Sequence, residues 1–101
     1  MNAACLTLVL PRSLEEQIVD HLLRHPEWVG SFTAYGVDGH GSPHSIATSA
    51  EQVRGRAGRV QLDILIDAAH ALHLVSHLKR ELPNADVAWR VCPVIACGDF
   101  S

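Results

Sequence analysis

The chain has 101 residues, of which 48% are hydrophobic and 19% charged, and we expect residues 1–101 to form a single domain. Eight Lys and Arg against 11 Asp and Glu give a formal net charge of -3, which argues against binding nucleic acid through its phosphates. The apolar start of the chain stops at Pro11 and is too short to insert into a membrane or act as a signal peptide, and three cysteines without disulfide or zinc-knuckle spacing favour a cytoplasmic location.

The first half of the chain predicts a strand, a helix and a second strand. Residues 5–10 are rich in leucine and β-branched side chains and predict a buried strand. Ser13 and Glu16 have the spacing of a capping box, so we expect a helix to begin at Ser13 and to end before Pro26. Residues 28–37 combine aromatic and β-branched side chains, a composition typical of a strand.

The second half repeats this order with a strand, a helix and a strand. Residues 59–66 alternate between apolar and more polar positions, which predicts a strand with one strongly buried face. Asp67 can cap a helix that continues to about residue 82, and residues 86–94 predict the fourth strand.

The resulting order, βαββαβ, predicts an α+β, ferredoxin-like fold. In that fold a four-stranded antiparallel sheet carries two helices on one face. The other face of the sheet stays uncovered in a monomer, so we expect other subunits to bury it if it is as apolar as the alternation suggests.

The connection between the second and third strands is much longer than an ordinary hairpin loop. It reads GHGSPHSIATSAEQVRGRAGR from Gly39 to Arg59, whereas hairpin loops have about two to five residues. The glycines on either side of His40 allow a sharp turn. Arg54, Arg56 and Arg59 could together bind an anion, although arginines beside a sheet edge can simply protect it from aggregation.

These features resemble the PII-like superfamily, which has the same βαββαβ order and a long insertion called the T-loop. The segment from Gly39 to Gln61 is similar to a small bacterial PII-like family of unknown function, with the motif GHG-x-x-H followed by S-x-x-EQV-x-GR. The resemblance implies a homotrimeric, non-enzymatic signalling protein that binds a small ligand, such as an adenine nucleotide, at clefts between subunits. The positions that match nucleotide-binding PII proteins are Gly39, Gly41 and the stretch from Arg54 to Arg59. We expect ligand contacts from Gly39, His40, Gly41, Glu51, Gln52, Arg54, Arg56 and Arg59.

One part of the chain departs from the nucleotide-binding PII proteins. Those proteins carry a glycine-rich phosphate loop between the second helix and the fourth strand, where this sequence reads ELPNADVAW. The resemblance therefore implies a T-loop ligand without implying that standard mode of phosphate binding.

Metal binding is the alternative function. The superfamily includes proteins associated with metals, and the resemblance extends to proteins associated with heavy-metal efflux, which implies a membrane transporter or efflux pump as a possible protein partner. His40 and His44 could bind a divalent or soft transition metal through their imidazole nitrogens, but each could equally be an ordinary loop histidine.

Further histidines and a cysteine allow several interpretations. His70, His73 and His77 share one face of the predicted second helix, which could be a metal-binding stripe, a solvated surface or a partner contact. Cys97 lies in the C-terminal tail, where a reactive thiol is possible. Because no nucleophile, base and orienting group occur together in a recognisable motif, we do not expect an enzyme.

Overall fold

The computed structural model describes residues 2–40, 57–83 and 85–101. Within these residues, two helices and four strands follow one another in the predicted βαββαβ order, and all neighbouring strands are antiparallel in the sheet order β2-β3-β1-β4. This confirms the α+β, ferredoxin-like fold class. The elements are β1 (Ala3–Pro11), a 3-10 turn (Arg12–Leu14), α1 (Glu15–Leu23), β2 (Val29–Gly39), β3 (Ala57–Asp67), α2 (Ala68–Glu81) and β4 (Ala88–Pro93).

A single hydrophobic core lies between the sheet and the two helices. Alternate side chains of the central strands β1 and β3 point into it, as the period of two predicts, and they meet one face of each helix. Burying each large aliphatic side chain contributes about 1.5–3 kcal/mol, so this core holds the sheet and both helices together. The fully buried aliphatic residues are Leu6, Leu8, Leu10, Ile18, Leu22, Leu62, Ile64, Ile66 and Leu74.

The two helices begin differently. Asp67 caps α2 as predicted, because its carboxylate accepts a hydrogen bond of 3.0 Å from the backbone N–H of Ala69. The capping box predicted at Ser13 is wrong: the N-cap of α1 is Leu14, and no side chain caps this helix. Ser13 lies inside the 3-10 turn, so the residues just before α1 are already in a helical conformation.

The sheet face opposite the helices is not the apolar surface considered above. Thr7, at its centre, lies opposite Asp63 on β3 and Arg90 on β4. On the neighbouring pair of strands, β2 and β3, Tyr35 lies opposite Gln61. We call this surface, with Thr7, Tyr35, Gln61, Asp63 and Arg90, the open face.

The three cysteines are free thiols. Cys5 and Cys92 lie directly opposite each other on β1 and β4, and Cys92 and Cys97 are exposed. Within residues 2–40, 57–83 and 85–101, no helix has the length and apolar character needed to cross a membrane.

Candidate functional site

The predicted ligand site begins where β2 ends. β2 continues to Gly39 and β3 begins at Ala57, so both strands extend beyond the predicted boundaries and residues 40–56 connect them. Gly39 is paired with Ala57, and His40 follows as an exposed residue. The remaining predicted contacts in this connection lie outside the described residues, and their roles stay predictions: Gly41, His44, Glu51, Gln52, Arg54 and Arg56.

Arg59 is the predicted ligand residue that the structure describes in most detail. Its side chain is only 2% exposed, and its Nη2 donates to Oδ2 of Asp86 at 2.7 Å. Its Nη1 donates to the backbone oxygen of the same residue at 3.1 Å. The guanidinium therefore ties the start of β3 to the segment before β4, and an anion that binds Arg59 must share it with this carboxylate.

The segment between α2 and β4 forms one wall of a cleft that the sequence did not reveal. The cleft has a volume of about 390 Å³, and its walls are mainly apolar. Lys79 stands at its edge with Nζ 5.4 Å from the centre of the Trp89 ring, a cation–π contact. A cleft of this kind suits a ligand with an apolar group and a negative charge near Lys79. Residues from β1, both helices and β4 line it, so no local sequence motif could have indicated it.

A second unpredicted feature is a group of five histidines around one tryptophan. His21, near the end of α1, and His25, in the turn after it, meet the face of α2 that carries His70, His73 and His77, and Trp28 lies among them. We call these six residues the histidine cluster. The α2 histidines are thus not simply a solvated stripe, because they face partners from α1 and from the turn after it.

The closest contacts of the histidine cluster involve His25. Its ring stacks on Trp28 with centroids 4.7 Å apart and planes inclined by 13°. Its Nε2 lies 3.3 Å from Nε2 of His77, and its Nδ1 lies 3.0 Å from Oε1 of Glu27. In the part of the chain that the structure describes, no three histidine, cysteine or acidic side chains already form a metal site.

His21 is the most buried histidine of the cluster, with 7% of its surface exposed. Burial lowers its pKa below the usual value of 6.5, the positive charge of Arg24 acts in the same direction, and Glu81 acts against both. The neighbouring His77 and His25 lower this pKa further. His21 is therefore neutral in the folded protein at neutral pH.

We expect His21 to make the fold less stable in mild acid. Its folded-state pKa lies below 6.5, so the unfolded chain takes up a proton first and stability falls as the pH drops below that value. Urea denaturation of the wild type and of His21→Asn at a series of pH values measures this. The variant should show a shallower pH dependence, and equal slopes for the two proteins would contradict the assignment.

The open face carries a closed set of hydrogen bonds around Asp63. Its Oδ1 accepts from Thr7 Oγ1 at 3.0 Å and from Gln61 Nε2 at 3.2 Å, and its Oδ2 accepts from the Tyr35 hydroxyl at 2.6 Å. Gln61 Nε2 also donates to the Tyr35 oxygen at 2.7 Å. The bond from Tyr35 is the main reason that the pKa of Asp63 is lowered, although partial burial acts in the opposite direction.

Similarity to solved structures supports the fold class. The fold resembles that of a PII-like signalling protein from Thermus thermophilus, with 21% identity, a TM-score of 0.64, and coverage of 93% of this chain and 90% of that one. It also resembles CPII from Thiomonas intermedia K12, a nitrogen regulatory PII-like protein solved with ADP, AMP and bicarbonate, with 16% identity, a TM-score of 0.66 and 91% of each chain covered. The chain therefore has a PII-like ferredoxin-type fold, as its motifs led us to expect.

The family follows from a match over residues 1–101, the whole chain. The chain belongs to the DUF3240 family, which is described as proteins of unknown function. A DUF3240 protein from Shewanella baltica OS155 shares the fold with a TM-score of 0.78 and 18% identity, over 100% of this chain and 99% of that one. None of the curated proteins is similar enough in sequence to count as a match.

Proposed function

We propose that this protein is a cytoplasmic, PII-like regulator that forms a homotrimer and binds a small anionic ligand through the β2–β3 connection. The observation that carries the proposal is the PII-like fold, which this chain shares with a signalling protein and with a nitrogen regulatory protein. Ligand binding would change the conformation of the connection and so its fit to a protein partner. In this function the protein is a regulator and not an enzyme.

An adenine nucleotide is the first ligand to test. CPII was solved with ADP and AMP, and Arg54 and Arg56 offer two guanidinium groups for phosphates. The segment between α2 and β4 contributes the carboxylate of Asp86 and apolar cleft walls, which do not favour a phosphate. We therefore assign phosphate binding to the β2–β3 connection.

Calorimetric titration of metal-free protein with ATP, ADP and AMP tests this function. We expect saturable heat from at least one nucleotide, and we expect the variant Arg54→Ala/Arg56→Ala to bind at least about tenfold more weakly, since each lost charged hydrogen bond costs about 1.5–3 kcal/mol. Arg24→Ala is the matched control, because Arg24 is exposed at the end of α1. Absence of heat from all three nucleotides would remove the nucleotide version, and a monomer in light scattering would remove the trimer.

Metal binding through the same connection is the second candidate. His40 is exposed directly after β2, and the motif places His44 four residues later. In this version the protein would be an accessory to metal homeostasis, with a transporter or efflux pump as its partner. Titration with Cu²⁺, Zn²⁺ and Ni²⁺ before and after His40→Ala/His44→Ala separates it from the nucleotide version, because unchanged metal affinity in that variant rules these two residues out.

A further inference from the structure

We propose that His25 and His77 of the histidine cluster bind one first-row transition-metal ion, at a site on the helical side of the molecule formed by residues outside the β2–β3 connection. The two imidazoles come from different elements, the turn after α1 and the helix α2, and their Nε2 atoms face each other at 3.3 Å. Two nitrogens bound tetrahedrally to one zinc ion at about 2.0–2.1 Å are about 3.3 Å apart. The nitrogens therefore already have the separation that a shared metal ion requires.

The hydrogen bonds of His25 determine which of its nitrogens can bind a metal. A carboxylate only accepts hydrogen bonds, so Nδ1 of His25 carries the proton that it donates to Glu27 at 3.0 Å. Its Nε2 then presents a lone pair, towards which His77 directs its Nε2–H. Histidine ligands in metalloproteins usually donate their other N–H to a carboxylate or carbonyl in this way.

Metal binding replaces this histidine–histidine hydrogen bond. His77 shifts its proton from Nε2 to Nδ1, and both Nε2 lone pairs then point to the metal ion, with water in the remaining coordination positions. The exchange is a change of tautomer in the His77 ring and releases no proton to solvent.

The ligand type indicates which ions should bind. Imidazole nitrogens suit copper, nickel and zinc, and the affinity of a given nitrogen site is greatest for Cu²⁺. The side chain of His25 is 21% exposed, so an ion can reach the pair from solvent. We therefore expect Cu²⁺ to bind more tightly than Ni²⁺ or Zn²⁺.

Trp28 provides a direct readout, because its ring lies against that of His25. A Cu²⁺ ion on His25 should quench its fluorescence. The protein has two tryptophans, so the variant Trp89→Phe leaves Trp28 as the only one. In that background, His40→Ala/His44→Ala also removes the candidate metal ligands of the β2–β3 connection, and CuCl₂ should still quench Trp28 with a saturable curve.

Three further substitutions in the same background test the ligands. His25→Gln/His77→Gln should abolish saturable quenching, and Glu27→Gln should weaken it by about tenfold or more, as loss of an outer carboxylate does in other sites. His73→Gln is the matched control, because His73 is exposed on the same helix and its ring lies 6.4 Å from that of Trp28. It should leave the apparent dissociation constant within about twofold of the background value, well below the tenfold loss that an outer-ligand change causes.

Several results would overturn the proposal. They are an absence of saturable quenching in the Trp89→Phe protein, unchanged quenching in His25→Gln/His77→Gln, or quenching that disappears with His40→Ala/His44→Ala. If circular dichroism shows that the double glutamine variant is unfolded, nitrogen NMR of the wild-type imidazoles with ZnCl₂ decides. A change in the chemical shifts of Nε2 in both His25 and His77 supports the site, and unchanged chemical shifts reject it. The nucleotide titrations test a different part of the chain, so either proposal can fail without the other.

Discussion

Replacing Asp86 with alanine should lower the free energy of unfolding by about 2–3 kcal/mol. The substitution removes the carboxylate that accepts from Arg59 at 2.7 Å and leaves the guanidinium, which is 2% exposed, without that partner. Removing one member of a fully buried ion pair costs about 3–5 kcal/mol. We expect less here because the side chain of Asp86 is 44% exposed and water can replace part of the interaction.

Urea denaturation of the wild type, Asp86→Ala and Glu16→Ala measures the effect. Glu16 is an exposed carboxylate on α1, so its loss controls for the change in net charge and should cost less than about 0.5 kcal/mol. The double variant Arg59→Met/Asp86→Ala should recover part of the lost stability, because an apolar side chain at Arg59 needs no counter-charge. Asp86→Ala as stable as Glu16→Ala would show that this ion pair does not hold β3 to the segment before β4.

The second large effect should follow from Asp63→Ala on the open face. This change removes the shared acceptor of the Thr7, Gln61 and Tyr35 side chains, and Thr7 is 6% exposed. Leaving a buried donor unsatisfied costs about 1–3 kcal/mol. The resemblance to PII proteins implies a homotrimer whose sheets face inward. In that arrangement the same donors would be buried between subunits, and we expect the variant to dissociate at concentrations where the wild type stays assembled.

Light scattering over a dilution series, combined with urea denaturation, tests Asp63→Ala. Tyr35→Phe is the matched control, because it removes one donor and leaves the carboxylate its bonds from Thr7 and Gln61. Its effect should be less than half as large. If Asp63→Ala keeps both the assembly and the stability of the wild type, the hydrogen bonds of the open face contribute to neither.

Protonation of Asp63 in acid should also destabilise the wild-type protein. The folded-state pKa of Asp63 lies below the usual aspartate value of 3.8. The stability that this carboxylate contributes is therefore fully present above 3.8 and is lost as the pH falls through the folded-state pKa. Asp63→Ala should lack this part of the acid transition.

Local sequence patterns predicted the fold class because its main determinants are local. The alternation of Leu62, Ile64 and Ile66 with more polar neighbours placed β3 and its buried face correctly, and Asp67 marked the start of α2. The error at Ser13 is also local. A capping box requires an extended residue before the helix, whereas here a 3-10 turn leads directly into α1.

The surfaces of functional interest depend on contacts between residues far apart in the chain. His25 and His77 are 52 positions apart, and Arg59 and Asp86 are 27 apart. The sequence showed the α2 histidines as a stripe without indicating that His21, His25 and Trp28 would face them. The glycines, histidines and arginines of the β2–β3 connection are neighbours in the sequence, so a local pattern was enough to predict a functional role there, and that role stays a prediction.

The irregular start of β2 affects how the molecule meets other copies of itself. Pairing between β2 and β3 shifts register between Val29 and Phe32, and a methyl group on Gly30 would lie 3.1 Å from the Leu65 backbone oxygen. β2 is an outer strand of the sheet, and a straight incoming strand needs evenly spaced amide and carbonyl groups along such an edge. The bulge interrupts that spacing and so opposes edge-to-edge pairing of β2 with a strand from another copy, the contact by which sheets extend into fibrils.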